Sequence, residues 1–189
     1  MTWLIVGLVL FLGIHSVSIV VPQWRDAQVA LRGEKAWKGV YSVLAIAGFV
    51  LLIVGYGIAR ETPLVLYSPP TWMRHVALLL LLPVFPLLIA AYLPGRIKAV
   101  TKHPMLASVK LWAFAHLLAN GMLADVLLFG GFLVWAVADR ISLKRRPPRP
   151  VPGAPPSRAN DVIAVAGGLV IYGLFVGGLH QWLVGVPPI

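Results

Sequence analysis

Residues 105–137 read MLASVKLWAFAHLLANGMLADVLLFGGFLVWAV, a run of about 33 residues in which only Lys110 and Asp125 are charged. Roughly 20 mostly apolar residues cross the hydrocarbon of a bilayer as an α-helix. The run is therefore too long for one ordinary span and short for two. Its one strong turn signal is Asn120-Gly121. Division there gives two segments of about 17 residues each, at the lower limit for crossing. The fold depends on whether that division is made.

Outward from this stretch the chain is apolar at every scale. Of 189 residues, 59% are hydrophobic and 12% charged, far from the balance of a soluble domain. Apolar runs at 2–21, 37–58, 72–93 and 162–184 each meet the length of a span. With 104–120 and 122–138 they predict an all-α, polytopic membrane bundle of six transmembrane helices forming a single transmembrane domain. The run from Thr2 has no basic stretch ahead of it and no small-residue cleavage site behind it, so a retained helix is expected.

The charges test the division at Asn120-Gly121 independently, because short cytoplasmic loops carry the excess Lys and Arg. With six spans, Arg25, Arg32, Lys35 and Lys38 fall in the first loop and Arg96, Lys98 and Lys102 in the third. Arg140, Lys144, Arg145, Arg146, Arg149 and Arg158 fall in the fifth, whereas the second loop holds only Arg60 and Arg74 and the fourth holds none. Odd loops are expected inside and both termini on the outer face. A single helix over 105–137 would turn the Lys144-Arg145-Arg146 run outward, against the rule. The fifth loop, 140–160, mixes its basic residues with prolines at 147, 148, 150, 152, 155 and 156. It reads as an extended linker held at the anionic leaflet by its charge.

A formal charge of +10 is compatible with nucleic acid in the abstract. A nucleic-acid binder gathers its basic residues on a soluble face, and here they punctuate apolar runs, so membrane lipids are the expected partner and no nucleic acid is. The absence of cysteine removes disulfides, thiolate metal sites and Cys-ligated haem.

Ionisable groups within spans carry functional hypotheses. His15, beside Gly13 and Ser16, and His116, among Ala113, Ala115 and Ala119, each read either as a neutral histidine bonded within the bundle or as a ligand of a metal or haem. Small residues around His116 permit close approach of a flat group or a helix. His103 precedes Pro104, a helix-start signal, and reads as a capping histidine. His75 and His180 read as interfacial, Lys110 as a snorkelling lysine or the counter-ion of a haem propionate, and Asp125 as a solvated or capping carboxylate. Histidines on different spans, with no cysteine, favour bis-histidine haem b over other cofactors.

The stretches Ala91-Tyr92-Leu93-Pro94-Gly95-Arg96, Lys102-His103-Pro104-Met105-Leu106 and Val109-Lys110-Leu111-Trp112-Ala113-Phe114-Ala115-His116, continuing to Gly121, resemble the NnrU family. The likeness extends through Leu127-Leu128-Phe129-Gly130 and Asp139-Arg140-Ile141-Ser142 and includes His15-Ser16. NnrU proteins are bacterial inner-membrane proteins associated with denitrification and nitric-oxide metabolism, and the family is similar to the 15-cis-zeta-carotene isomerases, which use haem b. The resemblance implies haem b on His15 and His116 as axial metal ligands, with His103 and Lys110 near the cofactor and His103 or His180 as substitute ligands. The isomerases carry a cysteine three residues before the second histidine; Ala113 stands there in this chain, so thiolate ligand exchange does not carry over. By helix rise, His15 lies about 5 Å inward and His116 about 6 Å outward of their helix centres, an offset that only a strongly tilted haem spans.

Three functions compete: a haem protein acting on an apolar isoprenoid or small redox-active ligand, a non-catalytic accessory membrane protein, and a membrane methyltransferase. The last shares the basic-His-Pro motif, but beyond His103 the only acids are Asp125, Asp139 and Asp161, and the acidic pair that such enzymes use for the methyl donor is missing.

Overall fold

A computed structural model of the protein describes residues 1–147, 149 and 151–188; Pro148 and Pro150 of the proline-rich loop lie outside the described residues. Among the described residues the regular structure is all helical apart from one isolated antiparallel bridge, Val65 with Met122. Its contacts gather into two compact units, Met1–Tyr67 with Gly121–Pro147 and Ser68–Asn120 with Pro148–Ile189, where the sequence treats the chain as one domain.

The first unit holds α1 (Thr2–Val20), α2 (Pro22–Arg32), α3 (Glu34–Glu61) and α8 (Leu123–Ser142). Between α1 and α3 there is no room for side chains at three glycines. A Cβ on Gly7 would stand 2.6 Å from Leu52 N, one on Gly48 would stand 2.7 Å from Phe11 N, and one on Gly55 would run into the backbone of Trp3 and Leu4. Membrane helices associate through such small-residue seams because lipid tails give no hydrophobic drive between them. Leu4, Leu8, Leu52, Ala59 and Ala124 form the buried core beside the seam.

Both ends of this unit are closed by polar groups. At one end Arg146 donates to Asp139 at 2.7 Å and to the Ser18 carbonyl at 2.9 Å, satisfying one of the acceptors that a helix C-terminus leaves open. At the other, Asp125 is only 2% exposed and accepts from Tyr56 Oη and from Met122 N–H. Capping is therefore the role it plays, with burial in place of solvation. Within the first loop, Pro22 at the first helical position starts α2, a helix that the sequence reading did not single out.

The second unit holds α4 (Met73–Leu81), α5 (Val84–Ala90), α6 (Arg96–Thr101), α7 (Pro104–Ala119), α9 (Ala159–Leu174) and α10 (His180–Val184). The expected span at 72–93 is broken between α4 and α5, where Pro83 and Pro86 each remove a backbone donor. A Cβ on Gly168 of α9 would collide with Pro86, so α9 and α5 pack backbone to backbone. The span at 162–184 is also interrupted. A π-helical turn, Phe175–Leu179, separates α9 from α10, and Gly178 within it leaves helical geometry altogether at φ 138°.

The later part of the proline-rich loop is bound to this unit. Ala154 N–H donates to the Tyr92 carbonyl at 2.9 Å, and the buried Asn160 amide donates to Pro94 and Pro155 carbonyls at 2.8 and 3.0 Å. Asp161 accepts the N–H groups of Arg96 and Ile97 at 2.7 and 3.0 Å, capping α6 across 64 residues of sequence.

Asn120-Gly121 is a break, as expected: α7 ends at Ala119, Asn120 is extended, and α8 begins at Leu123. Among the described residues four helical segments are long and apolar enough to cross a membrane, Thr2–Val20, Glu34–Glu61, Met73–Ala90 and Ala159–Val184. The remaining two of the expected spans do not reach that standard by themselves. α7 has 16 residues, and α8 carries Asp125, Asp139 and Arg140 within its 20.

Candidate functional site

In the first unit, Leu4, Leu8, Phe11 and His15 follow one another at helical spacing and share a face of α1. Their common face sets His15 among aromatic rings. Phe11 lies 4.2 Å away between centroids, Tyr41 of α3 meets it edge-on at 5.2 Å, and Trp135 of α8 stands perpendicular at 5.9 Å. Nδ1 of His15 is 2.7 Å from the Phe11 carbonyl. A carbonyl only accepts, so Nδ1 carries the proton, and in the neutral ring the lone pair is on Nε2. The Trp135 Nε1–H is buried without a hydrogen-bond partner among the described residues.

In the second unit, His116 of α7 repeats the arrangement. Its Nδ1 is 2.8 Å from the Trp112 carbonyl, which again puts the lone pair of the neutral ring on Nε2. The Asn120 amide returns a 2.9 Å bond to the His116 carbonyl. His180 faces it, with ring centroids 6.4 Å apart and planes 26° from parallel. Nδ1 of His180 is 2.7 Å from the Val186 carbonyl, so all three rings are held through Nδ1 to backbone.

His180, read from the sequence as interfacial, thus neighbours His116 instead of standing alone. The chain kinks just before it at Gly178, where the backbone leaves helical geometry. The Gly177-Gly178 pair within apolar sequence was the available signal. Ser16 and Ser108 donate to the Leu12 and Val84 carbonyls. His15 and His116 are each bonded to their own helix and His180 to a carbonyl just beyond the end of α10, bonds that composition cannot reveal.

His103 is the N-cap of α7, accepting Ala107 N–H through its carbonyl at 3.1 Å, in line with its capping reading. His75 lies exposed in the first turn of α4. Lys110 is half-buried on α7 and forms no hydrogen bond or ion pair with another described residue. Ala113 and Ala115 are fully buried.

Among the described residues no group of three or more His, Asp or Glu side chains is placed to hold a metal ion. A donor set of paired imidazoles with lone pairs on Nε2 suits the two axial positions of a haem, for which the porphyrin supplies the remaining ligands. His15 belongs to the first unit, and His116 and His180 belong to the second.

The fold and these side chains define an all-helical membrane protein with histidines built into its apolar helices. More particularly, the chain belongs to the NnrU family, whose description, NnrU protein, matches residues 3–188. No curated protein and no solved structure matches the chain.

Proposed function

We propose that this NnrU-family protein binds haem b within the membrane through His116 and His15. The observation that carries the proposal is the shared geometry of the two rings: each sits in an apolar helix with Nδ1–H given to a backbone carbonyl four residues earlier. Metal-ligating histidines are almost always held in this way, which fixes the tautomer and raises the basicity of the ligating nitrogen. The unpaired Trp135 indole N–H beside His15 would serve an acceptor brought by the cofactor or its ligand. Lys110 would neutralise a haem propionate.

A second ligand pair is favoured by one specific distance. A metal held between two imidazoles, with bonds of roughly 2 Å, separates the ring centroids by about 6 Å, and His116 and His180 stand 6.4 Å apart. His180 is accordingly the alternative second ligand.

The biological setting we infer is a multi-pass membrane protein with six spans and both termini periplasmic, from the apolar runs and loop charges, placed by the family resemblance in the bacterial inner membrane and linked to denitrification and nitric-oxide metabolism. When bound, ferrous haem with a coordination position opened supplies redox chemistry of the kind used to isomerise a carotenoid-like double bond. The residues of this chain would hold the haem, keep water from it and leave it accessible to an apolar ligand from the bilayer. The competing reading is a non-catalytic accessory protein of the same systems.

Oxidised and reduced absorption spectra of the detergent-purified protein test the proposal. A Soret band with six-coordinate, low-spin features is expected. A colourless protein after growth in haem-replete cells would sink it, and a haem whose reduced form never binds carbon monoxide would favour the accessory reading. The ligand pair is decided by His15→Ala and His180→Ala: the true second ligand gives high-spin haem or haem loss, and the other variant keeps the low-spin spectrum.

A further inference from the structure

A cleft of about 560 Å³ opens in the first unit where α1 ends, α2 begins and α8 runs out into Pro147. With α1 crossing a bilayer, its end would put the cleft at the edge of the hydrocarbon. α1 is apolar to its last residue, and the helix that follows, PQWRDAQVALR, is amphipathic. Trp24, Ala27 and Leu31 share one face of α2 at helical spacing, with Trp24 52% and Leu31 79% exposed. An exposed apolar stripe with a tryptophan on a short charged helix is the pattern of a helix lying in the membrane interface. This placement rests on the helix ends and holds whichever face of the membrane is cytoplasmic.

The walls of the cleft divide by polarity. Ile19, Ala138 and Ile141 line it on the apolar side, and Gln23, Ser142, Arg145 and Arg146 supply polar groups. Arg146 is a fixed post, its side chain only 13% exposed and engaged with Asp139 and the Ser18 carbonyl. Asp26, the acidic group of the lining, is paired with Arg25 at 2.9 Å. Arg145 is left over: its guanidinium forms no hydrogen bond or ion pair with a described residue. Among the described residues the cleft therefore presents one guanidinium without an ion-pair partner, in a lining that also holds Ile19, Ala138 and Ile141.

We infer that this cleft binds the phosphate of an anionic phospholipid, with Arg145 on the phosphate, Gln23 and Ser142 as further hydrogen-bonding groups, and the first acyl methylenes against Ile19 and Ile141. The volume lies within the range of small-molecule pockets and exceeds what a bare phosphate needs. Arginine suits the site because its planar fork meets two phosphate oxygens at once. Basic pockets beside membrane helices commonly hold lipid headgroups in this way. The site is separate from the histidines and stands or falls independently of haem.

Native mass spectrometry of the full chain, released from detergent with added phosphatidylglycerol, phosphatidylcholine or inorganic phosphate, tests the inference. Discrete one-to-one retention of phosphatidylglycerol is expected, weakened about tenfold in Arg145→Gln, as the loss of a charge-assisted bond implies. Lys35→Gln, which removes an equal charge from an exposed position on α3, should retain the lipid as the wild type does. Equal retention of phosphatidylcholine, an Arg145→Gln variant that binds undiminished, or an equal loss in Lys35→Gln would overturn the site. Retention of inorganic phosphate with no phosphatidylglycerol would also overturn it, reassigning the cleft to a small anion.

Discussion

The Tyr56 hydroxyl donates a 2.6 Å hydrogen bond to Asp125 Oδ1, joining α3 to the first turn of α8 across 69 residues. The second carboxylate oxygen takes Met122 N–H at 3.0 Å, so one buried acid both caps a helix and ties it to its neighbour. Removing a single partner of a buried hydrogen bond leaves the other desolvated and unpaired, at a cost of about 1–3 kcal/mol. Tyr56→Phe should destabilise the detergent-solubilised protein by that order in equilibrium unfolding. A variant as stable as the wild type would mean that the bond contributes nothing net.

The glycine seam of α1 and α3 leads to a sharper contrast within one helix. A Cβ at Gly48 or Gly55 meets backbone of α1, which cannot give way, whereas one at Gly57 meets nothing within 4 Å. Gly48→Ala should cost about 1–3 kcal/mol through overpacking. Gly57→Ala should be neutral or gain up to about 1 kcal/mol through helix propensity. Thermal unfolding of the two variants side by side reads the difference, and equal melting temperatures would rule out close approach of these helices.

Topology is open to reporter fusions. With six spans, fusions at Arg32, Arg96 and Pro152 should report the cytoplasm, and those at Ser68 and the C-terminus the periplasm. The decisive junctions flank α7 and α8, the two helices whose length or charge departs from an ordinary span. A cytoplasmic C-terminus would remove the six-span arrangement.

Lys110 has no bonding partner among the described residues, and the proposed haem supplies one in its propionates. Lys110→Met should lower haem retention or shift the reduction potential while leaving membrane insertion unchanged. Unaltered haem content and potential would return Lys110 to a snorkelling role.

The helices were legible in the sequence because their signals are local. Apolar length located them, and Asn120-Gly121 and Pro104 set ends that the structure keeps. What was not legible depends on distant residues. Asp161 capping Arg96 and Ile97 spans a connection whose prolines read as a linker, so nothing local marks it as a cap. α2 was hidden because its 11 residues are too polar for a span and too short for a convincing amphipathic period. At the site, the sequence singled out His15 and His116, with His180 read as interfacial and as a substitute ligand, but did not show that the His116 and His180 rings stand 6.4 Å apart. A regular helix through Gly177-Gly178 omits the kink that the backbone takes at Gly178.

The spectrum of His116→Ala, recorded beside the wild type at matched expression, bears most directly on the function proposed, because His116 is common to both ligand pairs. Loss of one axial bond should convert a six-coordinate, low-spin haem to a high-spin species or release it, with the protein still inserted in the membrane. A low-spin haem retained at the wild-type level in His116→Ala would contradict the assignment.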